Sequence, residues 1–159
     1  MPRVKPGTEG LNPDNWRKVA EDAIVNRLLP LVPLGCAIEN RPSERAPKMR
    51  VKAQIFYEEG PVASTVETPS GLTQRRLATY RVNVRMVEIR THQGIYEFLD
   101  KIESMLNGFY PLDPSRSGPL RLAPDGDSYQ QPDPKDTGEW FYTMLFQFEL
   151  NTVQQENFV

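Results

Sequence analysis

The chain has one cysteine and one histidine among its 159 residues. Cys36 alone cannot form an internal disulfide, which favours a reducing compartment. A metal site built from several histidines is excluded, because His92 stands alone. No apolar run approaches the ~20 residues that span a bilayer, and the first residues lack the apolar segment of a signal peptide. We therefore expect a soluble protein made in the cytoplasm.

Motifs of known catalytic sites are also missing. The sequence has no Walker A loop, dinucleotide-binding GxGxxG, GxSxG or HExxH pattern. The stretch PDGDS, with Asp125 and Asp127, resembles a calcium loop, but the remaining ligands and the closing glutamate are absent. Turn formation is the simpler interpretation, as a buried thiol is for Cys36 and a solvated or capping side chain for His92. We predict no enzyme activity and no catalytic, cofactor-binding or metal-binding residues.

Composition indicates one compact domain with long loops. The net charge of −2 gives no reason to expect tight binding to nucleic-acid phosphates. The 15 prolines in 159 residues are about 9%, against roughly 5% in average proteins, and they stiffen loops. We expect a flexible N-terminal arm at residues 1–10, a single domain at 11–150 and a polar, loosely held tail at 151–159.

Two helices are predicted from apolar spacing. The clearest runs from Thr91, a possible N-cap, to Gly108, which suits a left-handed C-terminal position. An earlier helix is expected to begin with Asn12 as N-cap before Pro13. It should end at Pro30 and Pro33. Each helix has one apolar stripe. The stripe of the central helix is Ile95, Phe98, Leu99, Ile102, Met105 and Leu106. The stripe of the first helix is Trp16, Val19, Ala20, Ala23, Ile24 and Leu28.

Strands are predicted where apolar and polar residues alternate. One break of the alternation suggests a β-bulge near Met86–Val87. A loop at 110–137 carries a short Leu-x-Leu piece that could add a small edge strand. The order of elements favours an α+β fold: a mainly antiparallel sheet of about four strands, two helices packed on one face, and two long loops. The strands are Met49–Tyr57, Thr79–Arg90, Glu139–Leu150 and the piece at Leu120–Leu122.

The connection at 58–76 is too long for a tight turn, and long connections in compact domains are often functional. Its middle, residues 62–66, is β-prone, so we expect an extended flap that can add a strand to a neighbour's sheet edge. Acidic residues begin the flap and basic residues end it, although a solvated strand face would also explain the single arginines. The interface residues predicted here are Glu58, Glu59, Val62, Val66, Arg75 and Arg76.

A family resemblance covers most of the chain, from Trp16 to about Leu150. It rests on YRVNVRMVEIRTHQGIYEFLDKIESMLNGFYP, then the Leu-x-Leu piece and DGDS, then GEWFYTMLFQFEL. These segments resemble the minor tail proteins of Mu-like phages, and their order is similar to the tail terminators of long-tailed phages such as lambda. The matching residues mark turns and packing and are not a catalytic signature.

The resemblance implies a structural virion protein at the tail–neck junction, made in the bacterial host. It would form a ring, usually of six subunits, that caps the tail tube, ends tube elongation and joins the tail to the neck. Its partners would be other copies of itself, the tail tube, the sheath protein of a contractile tail and the neck or connector proteins. DNA would pass through the lumen without specific binding, which the near-neutral charge suits.

Two alternatives remain open from the sequence. A head-completion or stopper protein of the neck would also be small and rich in loops. A small intracellular enzyme or ligand-binding domain would have to use the acidic loop and His92.

Overall fold

A computed structural model describes residues 15–40, 51–69, 71–87, 92–130 and 139–155. Two α-helices, a short 3₁₀ helix and six strands make up this part of the chain. In order, they are α1 (Trp16–Leu28), the 3₁₀ helix (Leu29–Leu34), β1 (Cys36–Glu39), β2 (Val51–Glu59), β3 (Val62–Thr68), β4 (Gly71–Val87), α2 (His92–Leu106), β5 (Arg121–Gln130) and β6 (Glu139–Gln155).

The first helix begins at Trp16, later than the start predicted from Asn12 and Pro13, which lie outside the described residues. Asn15 precedes it in the left-handed region (φ 36°), where asparagine is tolerated better than most residues. The prolines expected to end the helix lie in the 3₁₀ helix, which fits their fixed φ. The buried residues of α1 are four apart: Trp16, Ala20, Ile24 and Leu28. Val19, which was expected in the stripe, is 48% exposed.

The sheet has six strands, so the expected number of about four was too low. Its order is β1-β2-β4-β6-β5, and β3 pairs with β4 off this path. Among the strands of the described residues, only β1 and β2 pair in parallel, which confirms a mainly antiparallel sheet. β1 was not predicted, because four residues after a proline-rich segment are too few to show an alternation.

The two longest strands, β4 and β6, pair without interruption over 17 residues each. The bulge predicted at Met86–Val87 was therefore wrong for this pairing, since the register continues to Val87 opposite Glu139. A register shift does occur on the other side of β4, between Tyr57 and Glu59 of β2. β6 also extends five residues beyond the predicted end of the strand, through Gln155.

One face of the sheet carries most of the apolar core. In β2 the alternate residues 51, 53 and 55 are buried, and they lie opposite buried even-numbered residues of β4. Those in turn lie opposite even-numbered residues of β6. The Tyr80 hydroxyl donates to the backbone oxygen of Arg17 at 2.7 Å, which joins this face to α1.

The predicted stripe of α2 is confirmed: four of its members are buried and two are half-buried. All six contribute to the same core cluster as the sheet. Arg27 of α1 donates to the backbone oxygen of Met105 at 2.9 Å, so the helices are neighbours. The predicted N-cap Thr91 lies outside the described residues, whereas Gly108 has φ 87°, the left-handed conformation expected after a helix. That both helices pack on one face of the sheet stays a prediction.

The loop after α2 contains the predicted edge strand, which is longer than expected. β5 spans ten residues and pairs with β6, with an irregularity between Leu122 and Asp127. Pro124, Asp125 and Gly126 of the PDGDS stretch lie in this irregularity, where Asp125 has φ 59°. A Cβ on Gly126 would lie 2.8 Å from the backbone oxygens of both Ala123 and Leu145, so glycine permits β5 to approach β6 closely here.

Candidate functional site

The predicted flap is a β-hairpin that forms part of a three-stranded arm. We define the arm as β3, residues 71–76 of β4 and residues 150–155 of β6. β3 pairs with one edge of this β4 segment and the end of β6 pairs with the other. All seven residues of β3 are exposed, on both of its faces. Strand β3 is thus held by backbone pairing and contributes little to the core, whereas Leu150 at the base of the arm is buried.

Three valines of the arm are exposed to solvent: Val62 by 43%, and Val66 and Val153 by 57% each. Val66 and Val153 lie opposite Thr73 from the two sides, so these three form one β-branched row across the arm. Val62 lies opposite Arg76 and therefore points to the other face. Exposed aliphatic side chains on an edge strand are features of interaction surfaces.

The predicted acidic end of the flap is partly used within the chain. Arg81 of β4 donates through Nε to Oε1 of Glu58 at 3.0 Å, and its terminal nitrogen also contacts that oxygen. Glu59 is exposed and lies opposite Thr79. Glu58 therefore already has a partner in its own chain, five residues beyond the flap, whereas the predicted contact of the flap's charged residues with a neighbouring subunit stays a prediction.

The two arginines at the basic end have different environments. Arg76 donates to the backbone oxygen of Gly60 at 2.9 Å, and its guanidinium lies 5.5 Å from the centroid of the Trp16 ring. Arg76 therefore connects the base of the arm to the β2–β3 connection and to the first residue of α1. Arg75 is exposed and lies on the opposite face of the sheet from Arg76, beside Asn151 of β6. The structure thus places Glu58 and Glu59 at the end of β2 and the other four predicted residues on the β3–β4 hairpin, and it does not bring the six into one cluster.

A polar cleft of about 230 Å³ lies at the root of the arm, beside Arg75. Its far wall is a turn held by Asp113, whose carboxylate accepts from the backbone N–H of Ser115 at 2.9 Å. Those hydrogen bonds from Ser115 lower the pKa of Asp113. Sequence reasoning missed this cleft, because its lining residues come from distant segments of the chain. The residues that line the cleft are Arg75, Pro114, Ser115, Arg116, Ser117, Gly118, Glu149, Leu150 and Asn151.

A second missed feature is an aromatic patch at the other end of the sheet, formed by Tyr96, Tyr129, Trp140 and Tyr142. The Tyr129 ring lies 5.2 Å from the Tyr142 ring and 6.1 Å from the Trp140 ring, measured between centroids. Burial raises the pKa of Tyr142, and the nearby Tyr96 and Tyr129 raise it further. Tyr96 and Tyr129 are 48% and 49% exposed. Exposed tyrosines grouped in this way are typical of protein interfaces.

Metal-binding and nucleophilic groups are the other candidates in the described part of the chain. No three His, Cys, Asp or Glu side chains there are placed to hold a metal ion. Burial raises the pKa of the Cys36 thiol to about 11, so it is not an activated nucleophile. The side chain of His92 is outside the described set. No helix in the described segments is long and apolar enough to cross a membrane.

Comparisons with known proteins show a fold but no family. No family model and no curated protein matches the chain. A chain in the virion of a native gene transfer agent particle has the same fold, with a TM-score of 0.57 and 10% sequence identity. The match covers 83% of this chain and 94% of the virion chain. A second solved structure matches with a TM-score of 0.50 and 13% identity, over 86% of this chain and 94% of the other.

Proposed function

We propose that this chain is a structural protein of a phage-type virion, without catalytic activity. The observation that carries the proposal is the fold shared with a chain of a gene transfer agent virion over 83% of this sequence. It agrees with the resemblance between residues 16–150 and phage tail proteins, which was drawn from the sequence alone.

Within the virion, we propose the role of a tail terminator: a ring, most simply of six copies, at the tail–neck junction. The ring would cap the tail tube, end its elongation and join the tail to the neck, with DNA passing through the lumen. We take both helices to cover one face of the sheet. Strand β3 of the arm is the part of the fold that a monomer does not need, because it is exposed on both faces.

Deleting the gene distinguishes the terminator from a neck stopper. Without a terminator, tube growth has no defined end, so electron microscopy should show tails of variable, excessive length and heads without tails. Without a stopper, tails should keep one length while filled heads fail to join them or lose DNA. Tails of normal length on normally joined heads would contradict both roles.

A single substitution tests the arm. Val66→Asp introduces a charge on a 57% exposed edge strand, which should leave the fold intact but disfavour an apolar contact between copies. Val19→Asp, on the outer side of α1 at 48% exposure, is the matched control. We expect Val66→Asp alone to abolish incorporation into virions, with unchanged circular dichroism for both variants. Equal incorporation of the two variants would remove the arm from the interface.

A larger change tests the arm as a unit. Replacing residues 63–75 by Asn-Gly closes the hairpin with a turn suited to antiparallel strands. The apolar core should persist, because all seven β3 residues are exposed and surface-loop length has a small effect on stability. Virions should lack the shortened protein. Correctly terminated tails containing it would move the interface to the loop at 110–120.

A further inference from the structure

Two long strand edges are unpaired among the described residues. β3 pairs only with β4, and β5 pairs only with β6. β3 lies on the β2 side of β4, whereas β5 lies beyond β6, so these edges face opposite lateral sides of the sheet. Open edges present unpaired backbone N–H and C=O groups and favour the addition of another strand.

The position of the two edges suits contact between successive copies. The pairing of β6 with both neighbours allows positions on β5 to be compared with positions on β4. Residues 121 and 130 of β5 lie at the same height along the sheet as residues 79 and 85 of β4, whereas β3 lies at the height of residues 71–76. The midpoints differ by eight to nine residues, or ~30 Å along the strands at ~3.3 Å per residue. One copy could not join its own two edges, and a stagger of this kind is what tilted strands in a closed barrel require.

The directions of the strands agree with such a contact. β3 and β6 each run antiparallel to β4, and β5 runs antiparallel to β6. β5 therefore runs in the direction of β4 and opposite to β3. All copies in a ring have the same orientation about the axis, so β3 of one copy would meet β5 of the next in the antiparallel sense, which is the more stable pairing.

Side chains at the two edges also match. Val62 is on the face of the sheet that carries the even-numbered residues of β4, because it lies opposite Arg76. Tyr129 is on that same face, because it lies opposite Tyr142, which in turn lies opposite Val84. Val62 begins β3 and Tyr129 is next to the last residue of β5, so both lie toward the same end of the sheet; they are 43% and 49% exposed. An aliphatic residue against an aromatic one is a favourable cross-strand pair.

We propose that β3 of one copy pairs antiparallel with β5 of the next copy, and that the aromatic patch receives Val62. This inference rests on the ring proposed above and specifies the surface that accepts the arm. The contact is head-to-tail, so it leaves a free β3 at one end and a free β5 at the other until the ring closes. Pairing of two β3 edges with each other would instead end at a dimer.

Cross-linking tests the contact directly, because the native thiol is silent: Cys36 is fully buried. We would make Val62→Cys with Tyr129→Cys and treat purified virions with a short bis-maleimide that tolerates a shift of two residues. The expected result is a covalent ladder that stops at the number of copies in the ring. The matched control is Val62→Cys with Tyr110→Cys, where the tyrosine is 44% exposed on the loop after α2, and it should give no ladder.

Other outcomes separate this inference from the proposed function. Virions that incorporate the double variant but give no ladder would overturn the β3–β5 contact while the ring role stands. Dimers of the single variant Val62→Cys would also overturn it, in favour of pairing between two β3 strands. Absence of the wild-type protein from virions would refute the proposed function, and the contact with it.

Truncation of the accepting residue gives an independent readout. Tyr129→Ala should reduce incorporation into virions by roughly tenfold or more, because central aromatic residues dominate interface energies. Tyr110→Ala should have no such effect. Equal incorporation of the two variants would count against the aromatic patch as the accepting surface.

Discussion

Gly126→Ala should destabilise the fold, because the added methyl would meet backbone atoms and not the end of a flexible side chain. The new Cβ would lie 2.8 Å from the backbone oxygens of Ala123 and Leu145, and 3.1 Å from the Cβ of Ala123. The Leu145 oxygen belongs to β6 backbone that pairing with Arg81 of β4 holds in place, so it cannot move freely. Overpacking of this kind costs ~1–3 kcal/mol of the free energy of unfolding.

Gly118→Ala is the matched control, because nothing lies within 4 Å of the Cβ it would add. We expect it to be neutral, or to stabilise by about 0.4–1 kcal/mol through the unfolded chain. Urea unfolding followed by circular dichroism gives both free energies. A loss of 2 kcal/mol in Gly126→Ala would lower Tm by ~4–8 °C. If the two variants agree within about 0.5 kcal/mol, the close approach of β5 to β6 is wrong.

Three further predictions concern the core, the flap and the thiol. Leu99→Ala should cost ~2–3 kcal/mol, the lower part of the range for buried leucines, because Leu99 is 8% exposed; a loss below about 0.5 kcal/mol in urea unfolding would contradict the helical phase. Glu58→Gln should lower the free energy of unfolding by at most ~1 kcal/mol, because the ion pair with Arg81 is about a third exposed. The loss should become smaller with added salt, and a loss that does not depend on salt would show that the ion pair is not its cause. The Cys36 thiol should resist Ellman's reagent at pH 8 until urea unfolds the protein, and rapid labelling of the native protein would contradict its burial. Burial raises the pKa of this thiol from 9.0 to about 11. The contribution of the protonated thiol to stability is therefore full below pH 9 and is lost as the pH rises to 11.

The sequence predicted best those elements whose apolar pattern is long and regular. The stripe of α2 repeats over three turns, and β6 alternates over more than ten residues, so neither depends on partners elsewhere in the chain. Both lie close to where they were predicted, as does Gly108 after the helix. The β-prone character of residues 62–66 was also recognised, but not their pairing with residues 71–76 of the same chain.

Elements that depend on distant partners were missed. β1 has only four residues and exists because β2 offers it a parallel edge. The end of β6 is polar, so residues 151–155 looked like a tail, but β4 supplies a partner for each of them. Local composition cannot reveal either case, because the backbone pairing that stabilises these segments comes from residues far away in the sequence.

The candidate interface shows the same limit at the level of single charges. From the sequence, Glu58, Glu59, Arg75 and Arg76 were predicted to contact a neighbouring subunit. The register of β2 against β4 puts Arg81 opposite Phe56, beside Glu58, and turns Arg75 and Arg76 to opposite faces. Because a shift of one residue in β4 would reverse these faces, the charges that remain for a partner follow from strand pairing and not from charge order along the chain.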